Sequence, residues 1–166
     1  MNKFVVFRLE SEQYAIPVEH VISIEKMMAP TVVPQMPDYM VGVVRIRGEL
    51  VPVLDTRKLL YERPFEETDK TRLVVTATED ISVAFIVDEA KEILDIPKEA
   101  VKQVNMLAYQ QTPYFIGVAS LPERLITLID LNQLFTHLEG AKVIKEHIYS
   151  AAFSLDNKVW GESNES

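Results

Sequence analysis

Gly42-Val-Val-Arg-Ile-Arg-Gly-Glu-Leu-Val-Pro-Val-Leu-Asp55-Thr-Arg-Lys-Leu-Leu60 and Gly117-Val-Ala-Ser-Leu-Pro-Glu-Arg-Leu-Ile-Thr-Leu-Ile-Asp130-Leu-Asn-Gln-Leu-Phe135 align without a gap, seventy-five positions apart. Gly42 falls on Gly117, Val43 on Val118, Leu50 on Leu125, Asp55 on Asp130 and Leu59 on Leu134. Ile46, Val51, Val53, Leu54 and Leu60 meet other aliphatic or aromatic residues. Upstream, Lys3 to Phe7 and Tyr14 to Ile24 lie over Arg72 to Thr76 and Val83 to Ile93, here sixty-nine apart. The six-residue difference belongs in a loop. Two β-rich stretches can share valine and isoleucine by chance, but both halves in the same order argue for an internal duplication.

Each copy reads as short strands with turn punctuation. Phe4 to Leu9 and Tyr14 to Val18 flank the polar Glu10 to Gln13, the outline of a hairpin. Val18 to Lys26 reads as a helical turn running into an extended segment, and Asp88 to Leu94 repeats that mixed pattern. Pro30, Pro34 and Pro37 forbid a continuous helix between them, so this region is an ordered loop. Val41 to Ile46 and Glu49 to Leu54 form a hairpin around Arg47-Gly48, where glycine supplies the positive φ of a tight turn. Leu73 to Thr78 and Ser82 to Val87 form another over Glu79-Asp80. Asp55 and Asp130 each precede a short helical stretch whose free amides a carboxylate can cap.

Further on, Ile96 to Lys102 reads as a short helix opened by Pro97 at its first turn. Asn105 to Thr112 is a connecting loop. Leu131 to Ile148 has a helical pattern with Gly140 as a possible break. Ser150 to Ser166 thins in apolar content and reads as a frayed tail. The expected architecture is mainly β: two five-stranded barrels of about 65 residues each, near the lower limit for independent folding, and therefore sharing a packed interface. A single domain spans 1–140, its intertwined halves dividing near residue 65, with 141–166 as a helical extension and tail. The groove between the halves is the natural binding site.

Bulk properties narrow the function. The 166-residue chain has no cysteine, which removes disulfides, thiolate metal sites and cysteine nucleophiles. A net charge of −8 argues against sequence-independent nucleic-acid binding and against an anionic membrane surface. No segment reaches the ~20 apolar residues of a membrane span, and no signal-like start is read, so the expectation is a soluble cytoplasmic protein.

Catalytic motifs are missing as well. No Gly-x-x-x-x-Gly-Lys phosphate loop occurs among five glycines. His20, His137 and His147 lie in separate segments without metal-ligand spacing, which gives no expectation of a metal or cofactor. The serines lack the glycine-flanked elbow of a hydrolase. What remains is surface: Arg47 at a hairpin tip, Val18 and Val21 as edge candidates, and a proline loop with Met27, Met28, Met36, Tyr39 and Met40. Methionine and arginine are frequent in protein interfaces, although methionine fills cores equally well.

These residues carry a resemblance. Gly42-Val-Val-Arg-Ile-Arg47-Gly48-Glu-Leu-Val-Pro52-Val-Leu-Asp55 resembles the hairpin signature of CheW-like chemotaxis coupling proteins, in which Gly-Val-x-Asn-Leu-Arg-Gly leads into Pro-Val-x-Asp-Leu. The opening hairpin, the Ile16 to Ile24 segment, the Thr71 to Ile93 repeat and the Leu125 to Phe135 ending take their places in the same pattern. The resemblance implies two SH3-like five-stranded β-barrel subdomains and a non-catalytic adaptor of two-component signal transduction, one that couples chemoreceptor cytoplasmic tips to the regulatory domain of the histidine kinase CheA. It implies receptor binding at Val18, Val21 and Arg47, and kinase binding at Gly42 with Met36 and Tyr39 of the neighbouring loop. It also implies a monomer that assembles into arrays with its partners. The chain departs from the pattern at Arg45, where asparagine is usual, at Thr56, where leucine is usual, and in its length beyond about Gly140.

Two other readings stand beside the adaptor. A small-molecule-binding or hydrolytic barrel would use Asp55 and Asp130 as paired carboxylates across a shared cleft, which requires them within ~5 to 10 Å of each other. An adaptor of the same kind could also serve an array with a non-chemotactic output.

Overall fold

The computed structural model describes residues 2–79, 81–103 and 114–138. In chain order the elements are β1 (Lys3–Leu9), β2 (Glu12–Pro17), a 3-10 turn (Val18–His20), β3 (Val21–Lys26), β4 (Met40–Ile46), β5 (Glu49–Asp55) and α1 (Thr56–Tyr61). Then come β6 (Arg72–Ala77), β7 (Ser82–Val87), β8 (Glu89–Asp95), a 3-10 turn (Lys98–Ala100), β9 (Val101–Lys102), β10 (Phe115–Leu121), β11 (Arg124–Ile129) and α2 (Leu131–His137). The Asn105 to Thr112 loop and the 141–166 extension lie outside the described residues.

Two sheets form, one of five strands ordered β3-β6-β7-β5-β4 and one of six ordered β8-β1-β2-β11-β10-β9. The sequence reading expects five strands in each. The sixth is β9, whose two residues pair with Val118 and Ala119. Its counterpart in the first copy is Thr31, which makes a single bridge to Val43 with both amides bonded at 2.8 Å. In both sheets the chain leaving one edge strand thus returns to the other edge, closing the sheet on itself as an SH3-like barrel. Closure removes the unpaired edges that an open sheet would present.

The sheets do not follow the repeat boundary near residue 65. Hairpin β1–β2 of the first copy enters the six-stranded sheet, and β6–β7 of the second enters the five-stranded one. The exchange is the same in both directions. Parallel pairing sets Val53 against Ala84 in one sheet and Leu128 against Ala15 in the other. Antiparallel pairing sets Leu73 against Glu25 and, correspondingly, Phe4 against Leu94. Even the register shifts recur, skipping Ile22 in β3 and Lys91 in β8, and Val41 in β4 and Ile116 in β10.

This exchange explains the apolar runs in the swapped hairpins. Val83, Phe85 and Val87 face a central core while Ala84 and Ile86 face the five-stranded barrel's own interior. Tyr14 and Ile16 face the central core, and Ala15 the six-stranded barrel's interior. A strand covered on both faces needs apolar residues at every position, not at alternate ones. The central core, with Phe7, Leu54, Phe85, Ile129, Leu131 and Phe135, draws on both sheets and both helices. Burying such side chains contributes roughly 1.5–3 kcal/mol each, and the two barrels are fused by it.

Both short helices begin as the sequence reading expects. The Asp55 side chain accepts from the Lys58 amide, and that of Asp130 from the Gln133 amide. Three expectations need correction. The short helix expected over Ile96 to Lys102 is a 3-10 turn ending at Ala100, because Val101 and Lys102 pair with β10 as a strand. The helix predicted over 131–148 stops at His137, with Leu138 extended at φ −73° and ψ 126°, ahead of Gly140. Thr136 Oγ1 donates to the Asn132 carbonyl and His137 Nδ1 lies 2.9 Å from the Gln133 carbonyl, local side-chain contacts within the last turn. Leu138 meanwhile packs against the central core. The Asp88 to Leu94 segment also lacks the helical turn found at Val18–His20: β8 starts at Glu89, directly after Asp88.

Candidate functional site

The β4–β5 turn carries its two central residues at positive φ, Arg47 at 53° and Gly48 at 81°. That is the signature of a type I′ turn, whose twist matches the strands it joins. Arg47 therefore stands exposed at the tip. The equivalent turn between β10 and β11 has Pro122 and Glu123, with φ positive only at Glu123. Proline fixes φ near −65° and cannot enter the I′ geometry, so the repeat's two tips differ in backbone as well as in charge.

Val18 opens the 3-10 turn and Val21 begins β3; both are half-buried, and Val21 packs against the central core. Register brings Val21 and Arg47 to one end of the five-stranded sheet. Val21 pairs with Thr76, Ala77 with Ser82, β7 runs parallel to β5, and the Arg47 tip immediately precedes Glu49 of β5. In the sheet order β6 and β7 lie between β3 and β5, so the two residues share an end without pairing in the ladder. The sequence reading missed Ile22 and Ile24, each 43% exposed. Ile22 is the residue skipped by the register shift, which turns it out of the ladder. A strand with consecutive aliphatic residues beside an edge was the available signal. Val32, Ile93 and Leu125 are also exposed.

Gly42 is buried, and its role is one of space. A Cβ there would sit 2.3 Å from the Thr31 carbonyl oxygen, which forms the closing bridge. Gly117 repeats this, with a Cβ 2.8 Å from the Lys102 oxygen. Tyr39 is buried at 8% exposure and its carbonyl accepts from the Asp55 amide at 2.7 Å, as that of Tyr114 does from Asp130 at 2.8 Å. Met36 packs on the central core, Met40 lies within it, and Met27 and Met28 pack on the five-stranded barrel. These four methionines thus pack on the cores, Met40 buried and Met27, Met28 and Met36 partly exposed. Beside Tyr39 an open groove of about 770 Å³ is lined by Pro37, Asp38, Lys58, Leu59 and Leu138 among others.

The carboxylates separate into structural roles. Asp55 Oδ1 takes the Lys58 amide at 3.2 Å and Oδ2 the Phe65 amide at 2.9 Å. Burial pushes its pKa up, against these amides and Arg57, which pull it down. Asp130 caps α2 in the same way. Asp88, 5% exposed, lies where the chain crosses from the five- to the six-stranded sheet. It receives Arg57 Nη2 at 2.8 Å and the Glu10 amide at 2.6 Å, pinning α1 and the β1–β2 turn together. Arg63 on Glu10 and Arg8 on Glu89 extend this network outward. The Arg8 guanidinium lowers the pKa of Glu89. His20 is half-buried and His137 exposed, while His147 lies outside the described residues.

Comparison with known proteins agrees with this architecture. The family model described as "CheW-like domain" matches residues 3–139. The chain is 37% identical over 132 residues to the chemotaxis protein CheW of Bacillus subtilis, covering 79% of this chain and 85% of that one. It is 28% identical over 143 residues to the chemotaxis protein CheW of Klebsiella aerogenes, covering 86% of each. The crystal structure of the scaffolding protein TtCheW from Thermoanaerobacter tengcongensis superposes with a TM-score of 0.74 at 24% identity, over 84% of this chain and 90% of that one, and shares the fold. Two exchanged barrels, a repeated glycine–aspartate framework and a match spanning both halves establish that this chain belongs to the CheW-like domain family.

Proposed function

We infer that this chain is a cytoplasmic, non-catalytic adaptor that couples chemoreceptor tips to the histidine kinase CheA. The observation that carries the reading is that the family match runs from residue 3 to 139 and so takes in both barrels and every described element. The repeat adds support, since its framework positions recur while its exposed tip residues do not. In this reading the Arg47 tip and the Val18 to Ile24 edge receive a receptor helix, apolar residues taking the helix face and arginine a polar group. The proline loop with Met36 and Tyr39, held in place through Gly42, serves the kinase. Rigid fusion of the barrels by a common core lets a receptor contact on one surface bias a kinase held on another.

Co-sedimentation of the purified chain with receptor cytoplasmic fragments and with CheA tests the assignment, and binding to neither would sink it. Arg47→Glu should weaken receptor binding by about tenfold or more, through charge reversal at a contact. Its urea midpoint should stay at the wild-type value, because no described residue depends on Arg47 for a hydrogen bond. Loss of folding would make Arg47 structural and remove it from the site.

A further inference from the structure

All seven arginines of the chain lie within the described residues. Five have partners there: Arg8 with Glu89, Arg57 with Asp88, Arg63 with Glu10, Arg124 with Glu92 and Gln13, and Arg72 with the carbonyls of Asp69 and Thr71. Arg45 and Arg47 pair with no described residue. They sit two positions apart on one hairpin, both exposed, in a chain whose net charge is −8. A chain of net negative charge that satisfies its other arginines internally leaves two exposed guanidinium groups, two positions apart, for something else.

Their geometry limits what that is. On β4, exposed Arg45 follows Val44 and precedes Ile46, both buried in the barrel, so it points away from the barrel interior. Its cross-strand partner Leu50 lies on the same outer face. Two residues of chain span at most about 7 Å, so the Cα atoms of Arg45, near the end of β4, and Arg47, in the turn, lie no farther apart than that. Carboxylates three or four residues apart on a helix are separated by one turn, about 5–6 Å. Arginine binds a carboxylate bidentately, and long side chains absorb the remaining ångström. Glu49 is the nearest carboxylate in sequence, and among the described residues it forms no salt bridge with either arginine.

We propose that Arg45 and Arg47 together read two carboxylates one turn apart on the partner helix, which makes Arg45 a specificity determinant for acidic helices. This rests on the adaptor reading, whose receptor is helical. Arg47 alone would accept any polar group at that place. The second arginine adds a requirement for a second acidic side chain, and mismatched partners leave a guanidinium unpaired against their surface.

The test uses the full chain and the cytoplasmic fragment of its receptor, with affinity measured across a salt series for wild type, Arg45→Asn, Arg45→Lys and Arg45→Glu. Arg45→Asn should weaken binding about three- to tenfold and lower the dependence of affinity on salt, Arg45→Lys should retain most of the binding, and Arg45→Glu should lose more than Arg45→Asn. Replacing the fragment's paired carboxylates by glutamine should abolish the effect of Arg45→Asn, so the two changes are non-additive. Unchanged affinity and salt slope in Arg45→Asn, with Arg47→Glu still defective, would overturn the pairing and leave the adaptor intact. Strict additivity would overturn it too. Failure of the wild-type chain to bind the fragment would remove both. Each variant's thermal midpoint, expected within a degree or two of wild type, separates loss of contact from loss of fold.

Discussion

Thr56 is where the duplication leaves a measurable imperfection. It opens α1, is 4% exposed, and its Oγ1 has no hydrogen-bond partner among the described residues. It lines a small void with Phe7, Leu59, Phe85, Leu131 and Leu134, with about 10 Å³ of water-sized space. The repeat places Thr56 opposite Leu131 and Leu59 opposite Leu134, so the void straddles the approximate symmetry axis, and threonine stands where the second copy has leucine. Thr56→Val exchanges the unpaired hydroxyl for a methyl group at nearly constant shape, and should recover about 1–2 kcal/mol of the cost of burying a lone polar group. Thr56→Leu adds one further heavy atom, about the size of the void, worth roughly another 0.8 kcal/mol less any strain of insertion. At about 2–4 °C per kcal/mol for a chain of this size, thermal midpoints should rise in the order wild type, valine variant, leucine variant, with urea unfolding giving the same ranking. A valine variant at least 1 kcal/mol less stable than wild type would refute the reasoning, because it would show the hydroxyl bonded in solution. A stabilised valine variant with a destabilised leucine variant would refute the void alone.

Arg57→Met should cost about 3 kcal/mol by urea denaturation, since it strands the Asp88 carboxylate, whose side chain is 6% exposed, at the crossing between sheets; a loss under 1 kcal/mol would mean that the pair is solvated. Gly42→Ala should destabilise by roughly 1–3 kcal/mol and expose the Thr31 and Val43 amides to hydrogen exchange, because its Cβ meets a carbonyl at 2.3 Å, with Gly117→Ala milder at 2.8 Å. Equal protection in wild type and Gly42→Ala would contradict this. Asp55 titrates above the ordinary aspartate value of ~3.9 in the folded protein because of burial. The folded state therefore holds this proton more tightly, and the group's contribution to stability falls as pH rises from the unfolded to the folded pKa. Asp55→Asn should flatten that acid segment of the stability–pH profile, and an unchanged slope would assign the titration elsewhere.

The candidate site was only partly legible from residues. The Arg47-Gly48 turn was readable because a two-residue hairpin loop demands positive φ, and the aspartate caps because a short apolar helix after a carboxylate has few alternatives. Val18 and Val21 share their aliphatic character with Ile22 and Ile24. Only the placement of β3 in the folded sheet decides that Ile22 and Ile24 share the outward face while Val21 turns toward the core. Gly42 invited a reading as a contact, yet its conformation answers to Thr31, eleven positions earlier in the chain. The unpaired state of Arg45 likewise needed the partners of five other arginines to be known.

By itself the sequence determined the duplication, the strand content, the capped helices and the family. These are local or periodic properties, written in side-chain alternation, turn chemistry and the spacing of two copies. Which copy's hairpin completes which barrel was decided only in three dimensions. Pairing of β5 with β7, and of β2 with β11, depends on burying both faces of the exchanged strands in a common core. Sequence periodicity shows that a strand has two apolar faces but not which sheets cover them.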